Sequence, residues 1–187
     1  VDIIYSFSQP ILHGGTAVWR CYAGNRFSED LDFYLPNTKD FNARFTSKVK
    51  ERGLQLLKLK TTDNLIFAKV SNGTVEVRFE ANFNKGVKSF VKNFERINGA
   101  FASVLTLSPD DLIVEKMNAY RSRKFIRDIY DVFHLVRYVE NKEILAEVRK
   151  FAETIEPPID EKNLKILVYT GLAPTFGQMV ENLKGSK

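Results

Sequence analysis

Strand-like and helical patterns occupy different halves of this chain. Short apolar or alternating segments, which are typical of β-strands, lie before residue 108. The run Ser108-Pro109-Asp110-Asp111 then combines a cap residue, a proline and two early acids, and the pattern that follows it is helical. This segregation predicts an α+β fold in which residues 1–107 form an α/β core and residues 108–187 form a helical C-terminal region packed on that core.

Composition and charge limit what the chain can be. With 187 residues, 44% hydrophobic and 27% charged, it is suited to a globular core and unlike disordered or fibrous chains. No apolar stretch approaches the ~20 residues of a membrane helix, no signal-peptide pattern is present and Cys21 stands alone, so we expect a cytoplasmic protein without membrane contact. The net charge of +5 favours an anionic partner, and two histidines with one cysteine leave a carboxylate-held hard cation as the expected metal.

Local patterns predict how the elements of the core begin and end. Asn72-Gly73, the favoured pair for a two-residue turn, predicts a hairpin between Leu65–Val70 and Thr74–Phe83. Thr16 and Thr38 are predicted to cap helices. The hairpin register gives three pairs on its polar face, which are Lys69 with Glu76, Phe67 with Arg78, and Leu65 with Glu80.

Two acidic residues form the sharpest local feature. Asp30 and Asp32 are two residues apart at the start of a predicted strand, so their carboxylates project from one face. Like charges this close repel unless a cation lies between them, and Mg²⁺ prefers such oxygen ligands. A lone pair of this kind is more often a solvated strand end, so its interpretation depends on neighbouring features.

Gly14, Gly15 and Thr16 supply such a feature between a predicted strand and a predicted helix. Glycines let the backbone approach a ligand closely, and a helix N-terminus offers free N–H groups to phosphate. Arg26 could add a positive charge and Ser28 a hydroxyl donor to the same anion. Together with the two aspartates, these residues describe a site for a metal–triphosphate.

A third carboxylate is expected from the adjacent hairpin, and two candidates are open. Glu76 faces Lys69 in the predicted register, which already explains it as a surface ion pair. Glu80 faces Leu65 and projects to the same side. We therefore choose Glu80 as the third ligand, with Glu76 as the alternative.

The predicted helical segment from Lys116 to Arg127 carries five basic residues and no acid. Lys116 lies beside an apolar stripe, where a lysine needs either snorkelling or a phosphate. A plain alternative is a solvated basic helix with Arg127 and Asp131 as an i,i+4 pair. The apolar faces change direction within residues 121–126, which predicts a break between two helices.

Four motifs, in order over about residues 12–135, together resemble one family. They are Gly14-Gly15-Thr16-Ala17, Arg26-x-Ser28-x-Asp30-x-Asp32-Phe33, Glu115-Lys116-x-x-Ala119, and Arg123 with Arg127-Asp128-x-x-Asp131. They are similar to those of the AbiEii/AbiGii toxin nucleotidyltransferases, which are DNA-polymerase-β-like enzymes that include the MenT toxins. The family's strand acid, in a pattern like F-E-x-N-F, fits Phe79-Glu80-Ala81-Asn82-Phe83.

The resemblance implies a small mixed nucleotidyltransferase sheet flanked by helices and followed by a helical region. It implies transfer of a nucleoside monophosphate from an NTP, with Mg²⁺ or Mn²⁺ as the metal. The acceptor is expected to be an RNA, such as a tRNA 3′ end, or a protein. The enzyme is expected to be a toxin that has a cognate antitoxin. The implied metal ligands are Asp30, Asp32 and Glu80, and the other catalytic residues are Lys116 and Asp131. The nucleotide-binding residues are expected to be Gly14, Gly15, Thr16, Arg26, Ser28, Lys116, Arg123 and Arg127.

For Asp131 two roles are open: it could orient Lys116 or take the acceptor proton. Two other classes of function also fit the residues. A nucleotide- or RNA-binding module would keep the basic helices without turnover, and a metal-dependent phosphohydrolase would use the same carboxylates with water as acceptor.

Overall fold

The structure, a computed structural model, describes residues 1–36, 40–83 and 86–186. Its residues cluster into two compact units. Val1–Ala17 and Glu29–Thr106 form the first, and Val18–Ser28 and Leu107–Lys187 form the second. Within the described ranges no helix is both long and apolar enough to cross a lipid bilayer.

The first unit is built on a mixed sheet of the strands that the described residues form. These are β1 (Ile11–His13), β2 (Asp30–Leu35), β3 (Gln55–Thr61), β4 (Leu65–Ser71), β5 (Glu76–Phe83), β6 (Phe90–Glu95) and β7 (Phe101–Thr106). Their order across the sheet is β3-β4-β5-β2-β1-β7-β6. β2 pairs with β5 and β1 with β7 in parallel, and the other pairs are antiparallel. The predicted α+β class with a small mixed sheet is confirmed.

Helix α3 (Phe41–Glu51) covers one face of the sheet, after α1 (Asp2–Tyr5) and α2 (Gly14–Cys21) earlier in the chain. Its buried residues recur every four positions, and two of them stack on Phe79, with ring centroids 6.1 Å away for Phe41 and 5.4 Å away for Phe45. Strand residues that alternate with the polar ones, such as Phe33 and Ile66, are fully buried on this side. Thr38, the predicted cap of α3, lies outside the described residues.

Helix α2 begins earlier than the sequence predicts. It starts at Gly14, directly after β1, so Thr16 lies inside the helix and is not its cap. The buried Thr16 hydroxyl instead donates to the carbonyl oxygen of Asp30 at 2.5 Å. Gly14 allows the early start because it adopts a positive φ of 70° between strand and helix.

The predicted β4–β5 hairpin is present, but its register is shifted by two residues. Ser71 pairs with Glu76, so the connecting loop has four residues, and the Asn72 side-chain oxygen accepts from the backbone N–H groups of Thr74 and Val75. Glu80 therefore lies opposite Phe67 and not opposite Leu65. A shift of two leaves every side chain on its predicted face because the pleat repeats every two residues.

The second unit contains the helices that follow residue 107. These are α4 (Pro109–Arg123), α5 (Ile126–Leu135), α6 (Lys142–Thr154), α7 (Leu164–Leu167) and α8 (Phe176–Lys184). Ser108 caps α4 by accepting from the backbone N–H of Asp111, as its sequence signature predicts. Lys124 has a left-handed φ of 52° and ends α4, which confirms the predicted break between two helices.

Candidate functional site

Two neighbouring parallel strands bring the candidate metal ligands onto one face of the sheet. Asp30 pairs with Arg78, and Asp32 pairs with Glu80, between β2 and β5. Because paired residues of adjacent strands project to the same side, Asp30, Asp32 and Glu80 share the face opposite the one that α3 covers. Glu76 lies two residues before Arg78 in β5, on the same face, and forms an ion pair with Lys69.

Arg78 is a site residue that the sequence motifs did not reveal. Its Nε lies 2.7 Å from Asp30 Oδ1, and its Nη2 lies 3.6 Å from a carboxylate oxygen of Glu29. Asp30 Oδ1 nevertheless accepts no hydrogen bond from the part of the chain that the structure describes, so the contact is one of charge and not of aligned donor and acceptor. Correct strand pairing would have revealed Arg78, since it lies two residues before Glu80.

The ionisation of Glu80 is disfavoured by burial and by the two neighbouring aspartates. Burial raises the pKa of Glu80, the negative charges of Asp32 and Asp30 raise it further, and Arg78 offsets part of this rise. A divalent cation placed among these oxygens would remove the repulsion. The donor set therefore fits Mg²⁺ or Mn²⁺ chemically.

The described residues do not by themselves form a complete metal-binding site. Among the described residues, no group of three or more histidine, cysteine, aspartate or glutamate side chains is arranged to hold a metal ion. This agrees with the usual coordination of Mg²⁺, which is commonly bound by one or two carboxylates together with substrate phosphates and water. Asp30 and Asp32 fit that mode, with Glu80 beside them.

Gly14 lies against the Asp32 carboxylate. A Cβ at this position would overlap Asp32 Oδ2, and the positive φ of Gly14 also disfavours any other residue. The N-terminus of α2 is thereby held close to the acidic pair. Gly15 and Thr16 are buried in the first turn of the same helix, and Ser28 is half-buried two residues before Asp30 in the chain.

The second unit holds a buried cluster of charged side chains around Asp131. The guanidinium of Arg26 donates to both carboxylate oxygens of Asp131, from Nε at 2.5 Å and from Nη2 at 2.6 Å. Lys116 Nζ lies 2.8 Å from Asp131 Oδ2. Asp131 is fully buried, and Arg26 and Lys116 are 3% and 6% exposed, so this three-residue ion cluster is shielded from water.

Asp128 extends the cluster to Arg123. Arg123 donates to both oxygens of the fully buried Asp128 at 2.7 Å, and Lys116 Nζ lies 3.7 Å from the same carboxylate. Arg127 stands apart from both aspartates: its guanidinium lies over the Phe125 ring at 5.5 Å, and it forms no ion pair with any described residue. The plain alternative of an Arg127–Asp131 pair is therefore wrong.

The cluster sets the ionisation of Asp131. Burial alone would raise the pKa of this carboxyl, but the positive charges of Arg26 and Lys116 and their hydrogen bonds outweigh burial and hold the pKa below its ordinary value. Asp131 is thus a carboxylate whose two oxygens are both taken by cations. No local sequence signal pointed to this, because Arg26 and Asp131 are 105 residues apart.

A mixed sheet with an acidic strand pair, a glycine at the helix start beside that pair, and a lysine in the helical unit are features that the resemblance to nucleotidyltransferases implies. The structure is similar to that of JHP933 from Helicobacter pylori, with a TM-score of 0.69 at 18% identity over 98% of this chain and 84% of that one. It is also similar to MenT4, a nucleotidyltransferase toxin from Mycobacterium tuberculosis, with a TM-score of 0.59 at 16% identity over 97% of this chain and 77% of that one.

The family is shown by a sequence comparison. Residues 6–176 match the family described as nucleotidyl transferase AbiEii toxin of a type IV toxin–antitoxin system, and the chain belongs to that family. The predicted resemblance is confirmed, and the chain is a nucleotidyltransferase. No curated protein matches it.

Proposed function

We propose that this toxin transfers a nucleoside monophosphate from an NTP to an RNA acceptor, with a tRNA 3′ end as the leading candidate, in the cytoplasm and under the control of a cognate antitoxin. The observation that carries the proposal is the pairing of Asp32 with Glu80 and the overlap that a Gly14 side chain would have with Asp32. We propose residues 1–107 as the nucleotidyltransferase core and residues 108–187 as its helical C-terminal region.

In the proposed reaction the acceptor hydroxyl oxygen forms a bond to the α-phosphorus of the NTP. The bond from that phosphorus to the bridging oxygen breaks, pyrophosphate leaves, and the hydroxyl proton passes to solvent. Asp30, Asp32 and Glu80 would hold Mg²⁺ or Mn²⁺, which would lower the pKa of the acceptor hydroxyl and neutralise triphosphate charge when bound. These residues lie together on one sheet face, which supports their assignment.

The triphosphate is assigned to two groups of donors. Gly14, Gly15 and Thr16 would offer the N-terminal N–H groups of α2, and Ser28 would add a hydroxyl. Lys116 would stabilise the charge that builds on the transferred and leaving phosphates, with Arg123 and Arg127 as further cations.

The structure favours one of the two roles that the sequence leaves open for Asp131. A general base needs a free oxygen and a pKa near the working pH, whereas Asp131 has both oxygens engaged and a lowered pKa. We therefore assign Asp131 to orienting Lys116. Arg26 donates hydrogen bonds from Nε and Nη2 to Asp131 and from Nη1 to the Phe27 carbonyl oxygen. We therefore assign Arg26 to positioning Asp131, and not to contacting the triphosphate.

The test is a transfer assay with the purified chain, Mg²⁺, bulk tRNA and each NTP labelled on the α-phosphorus. Label should enter the RNA with the wild type and disappear with Asp32→Ala and with Glu80→Ala. Glu76→Ala is the matched control, since it removes a carboxylate from the same strand and face and should leave activity intact. Loss with Glu76→Ala and retention with Glu80→Ala would reverse the choice of third ligand, and free phosphate without label in RNA would contradict the transfer itself.

A further inference from the structure

The polar face of the sheet continues from the carboxylates to the edge of the sheet at β3. Two rows of paired residues cross it: Asp32–Glu80–Phe67–Lys60 and Asp30–Arg78–Lys69–Lys58. Each row starts at a candidate metal ligand on β2 and ends at a lysine on β3. We call Lys58, Lys60, Lys69 and Arg78 the basic stripe.

The two lysines at the outer end of the basic stripe are not neutralised by ion pairs with the described residues. Arg78 contacts Asp30, and Lys69 contacts Glu76. Lys58 and Lys60 are exposed, and neither forms an ion pair with any residue in the ranges 1–36, 40–83 and 86–186. Two exposed cations at the outer end of a row that begins with metal ligands are therefore available to an external anion.

An aromatic ring lies in line with these cations. Phe67 is half-buried on the polar face, between Glu80 and Lys60 in its row, and Lys58 Nζ lies over its ring at 5.4 Å. A ring interleaved with cations is the pattern by which single-stranded nucleic acids are bound, with phosphates on the cations and a base on the ring. An acidic peptide would use the lysines but has no use for the ring.

The spacing suits a strand of several nucleotides. Neighbouring strands lie ~4.8 Å apart, so Lys60 on β3 is ~14 Å from Asp32 on β2 across three spacings. At ~3.4 Å per stacked nucleotide, this distance corresponds to about four nucleotides. An acceptor with its reactive end at Asp32 would thus place its fourth or fifth phosphate at the β3 lysines.

We propose that the basic stripe and Phe67 bind the single-stranded end of the nucleic-acid acceptor and guide it to the carboxylates. The proposal rests on the proposed function for the direction in which the strand runs. Edge strands also carry lysines to prevent sheet-to-sheet association, a role that needs charge at β3 but neither the in-line ring nor a bound strand.

The experiment measures binding of a fluorescein-labelled 12-nucleotide single-stranded RNA by anisotropy, without NTP, across a series of KCl concentrations. Lys58→Gln/Lys60→Gln should weaken binding about tenfold and reduce the slope of log K against log[salt] by about 1.4, the share of two phosphate contacts. Phe67→Leu should also weaken binding while leaving the slope unchanged. Lys58→Arg/Lys60→Arg should restore wild-type binding.

Lys48→Gln/Lys50→Gln is the matched control. It removes the half-buried Lys48, which is ion-paired with Glu51, and the exposed Lys50 from α3, on the opposite side of the sheet and with the same separation in sequence, and should leave both affinity and slope unchanged. Equal effects of the two double variants, or none from either, would overturn the proposal, as would equal binding of a glutamate homopolymer through the same lysines. Asp32→Ala should still bind the RNA while losing transfer, so the failure of the stripe and the failure of the proposed function are told apart.

Discussion

At the scale of single residues, Gly14 meets two constraints that no other residue can meet together. Its φ is +70°, and any Cβ would overlap the Asp32 carboxylate. The sequence shows only that glycine is present and that its freedom suits a tight approach to a ligand. The neighbour that requires it is Asp32, which the pairing of β1 with β2 places opposite His13.

Gly14→Ala is expected to abolish transfer and to lower the free energy of unfolding by more than the ~1–2 kcal/mol that a left-handed alanine costs. The measurements are the tRNA-labelling assay and urea unfolding. Gly73→Ala is the control, because Gly73 has a φ of +94° with nothing within 4 Å of its would-be Cβ. It should show the backbone cost alone with full activity, and identical behaviour of the two variants would exclude the clash with Asp32.

At the scale of elements, strand pairing decides what the strands can do together. The sequence correctly predicts the hairpin and the face on which Glu80 lies, although it misplaces the register by two residues. The error has no effect on the face because the pleat repeats with a period of two. The sequence does not reveal Arg78 as the neighbour of Asp30, because that contact depends on the parallel pairing of β2 with β5, which joins segments more than 40 residues apart.

The raised pKa of Glu80 predicts a pH-dependent gain in stability when its charge is removed. A carboxyl whose pKa is higher in the folded state is ionised at a cost above that pKa, and the cost vanishes below the ordinary value of 4.5, where both states are protonated. Without added metal, Glu80→Gln should therefore raise the urea midpoint at about pH 7 and leave it unchanged at about pH 3.5.

Glu76→Gln serves as the control for this measurement, since Glu76 contacts Lys69 and loses that ion pair on substitution. It should show no gain at either pH. A gain of equal size in both variants, or one that persists in acid, would mean that the cost of ionising Glu80 in the folded state is not the cause.

At the scale of the whole molecule, residues far apart in the chain form the ion cluster around Asp131. The segment Val18–Ser28 belongs to the same unit as the helices after residue 107, which is how Arg26 reaches Asp131. Segment 24–28 is further joined to the C-terminal region by the backbone bond from Phe27 N–H to the Leu167 carbonyl at 2.9 Å. The proposed role of Asp131 in orienting Lys116 is compatible with this arrangement, and the assignment of Arg26 to holding Asp131 arises from it.

Arg26→Lys tests that assignment, because lysine keeps the charge but cannot grip both oxygens of Asp131. We expect kcat for transfer to fall at least about tenfold with KM for NTP changed by less than about twofold, since Lys116 loses its fixed position. A direct contact between Arg26 and the triphosphate would instead raise KM. Arg121→Lys, an exposed exchange on α4, should alter neither constant.

The sequence by itself determined the class of fold, the helix break, the acidic pair and the family, because these depend on local periodicity and on motifs that are contiguous in the chain. It also identified Lys116 and Asp131 as residues of interest. Only the tertiary structure decided that Asp32 neighbours Glu80, that Gly14 must lack a side chain and that Asp131 is held by Arg26. Each of these facts depends on contacts between segments distant in sequence, and pairing across such distances is set by strand order and core packing, which local patterns do not encode.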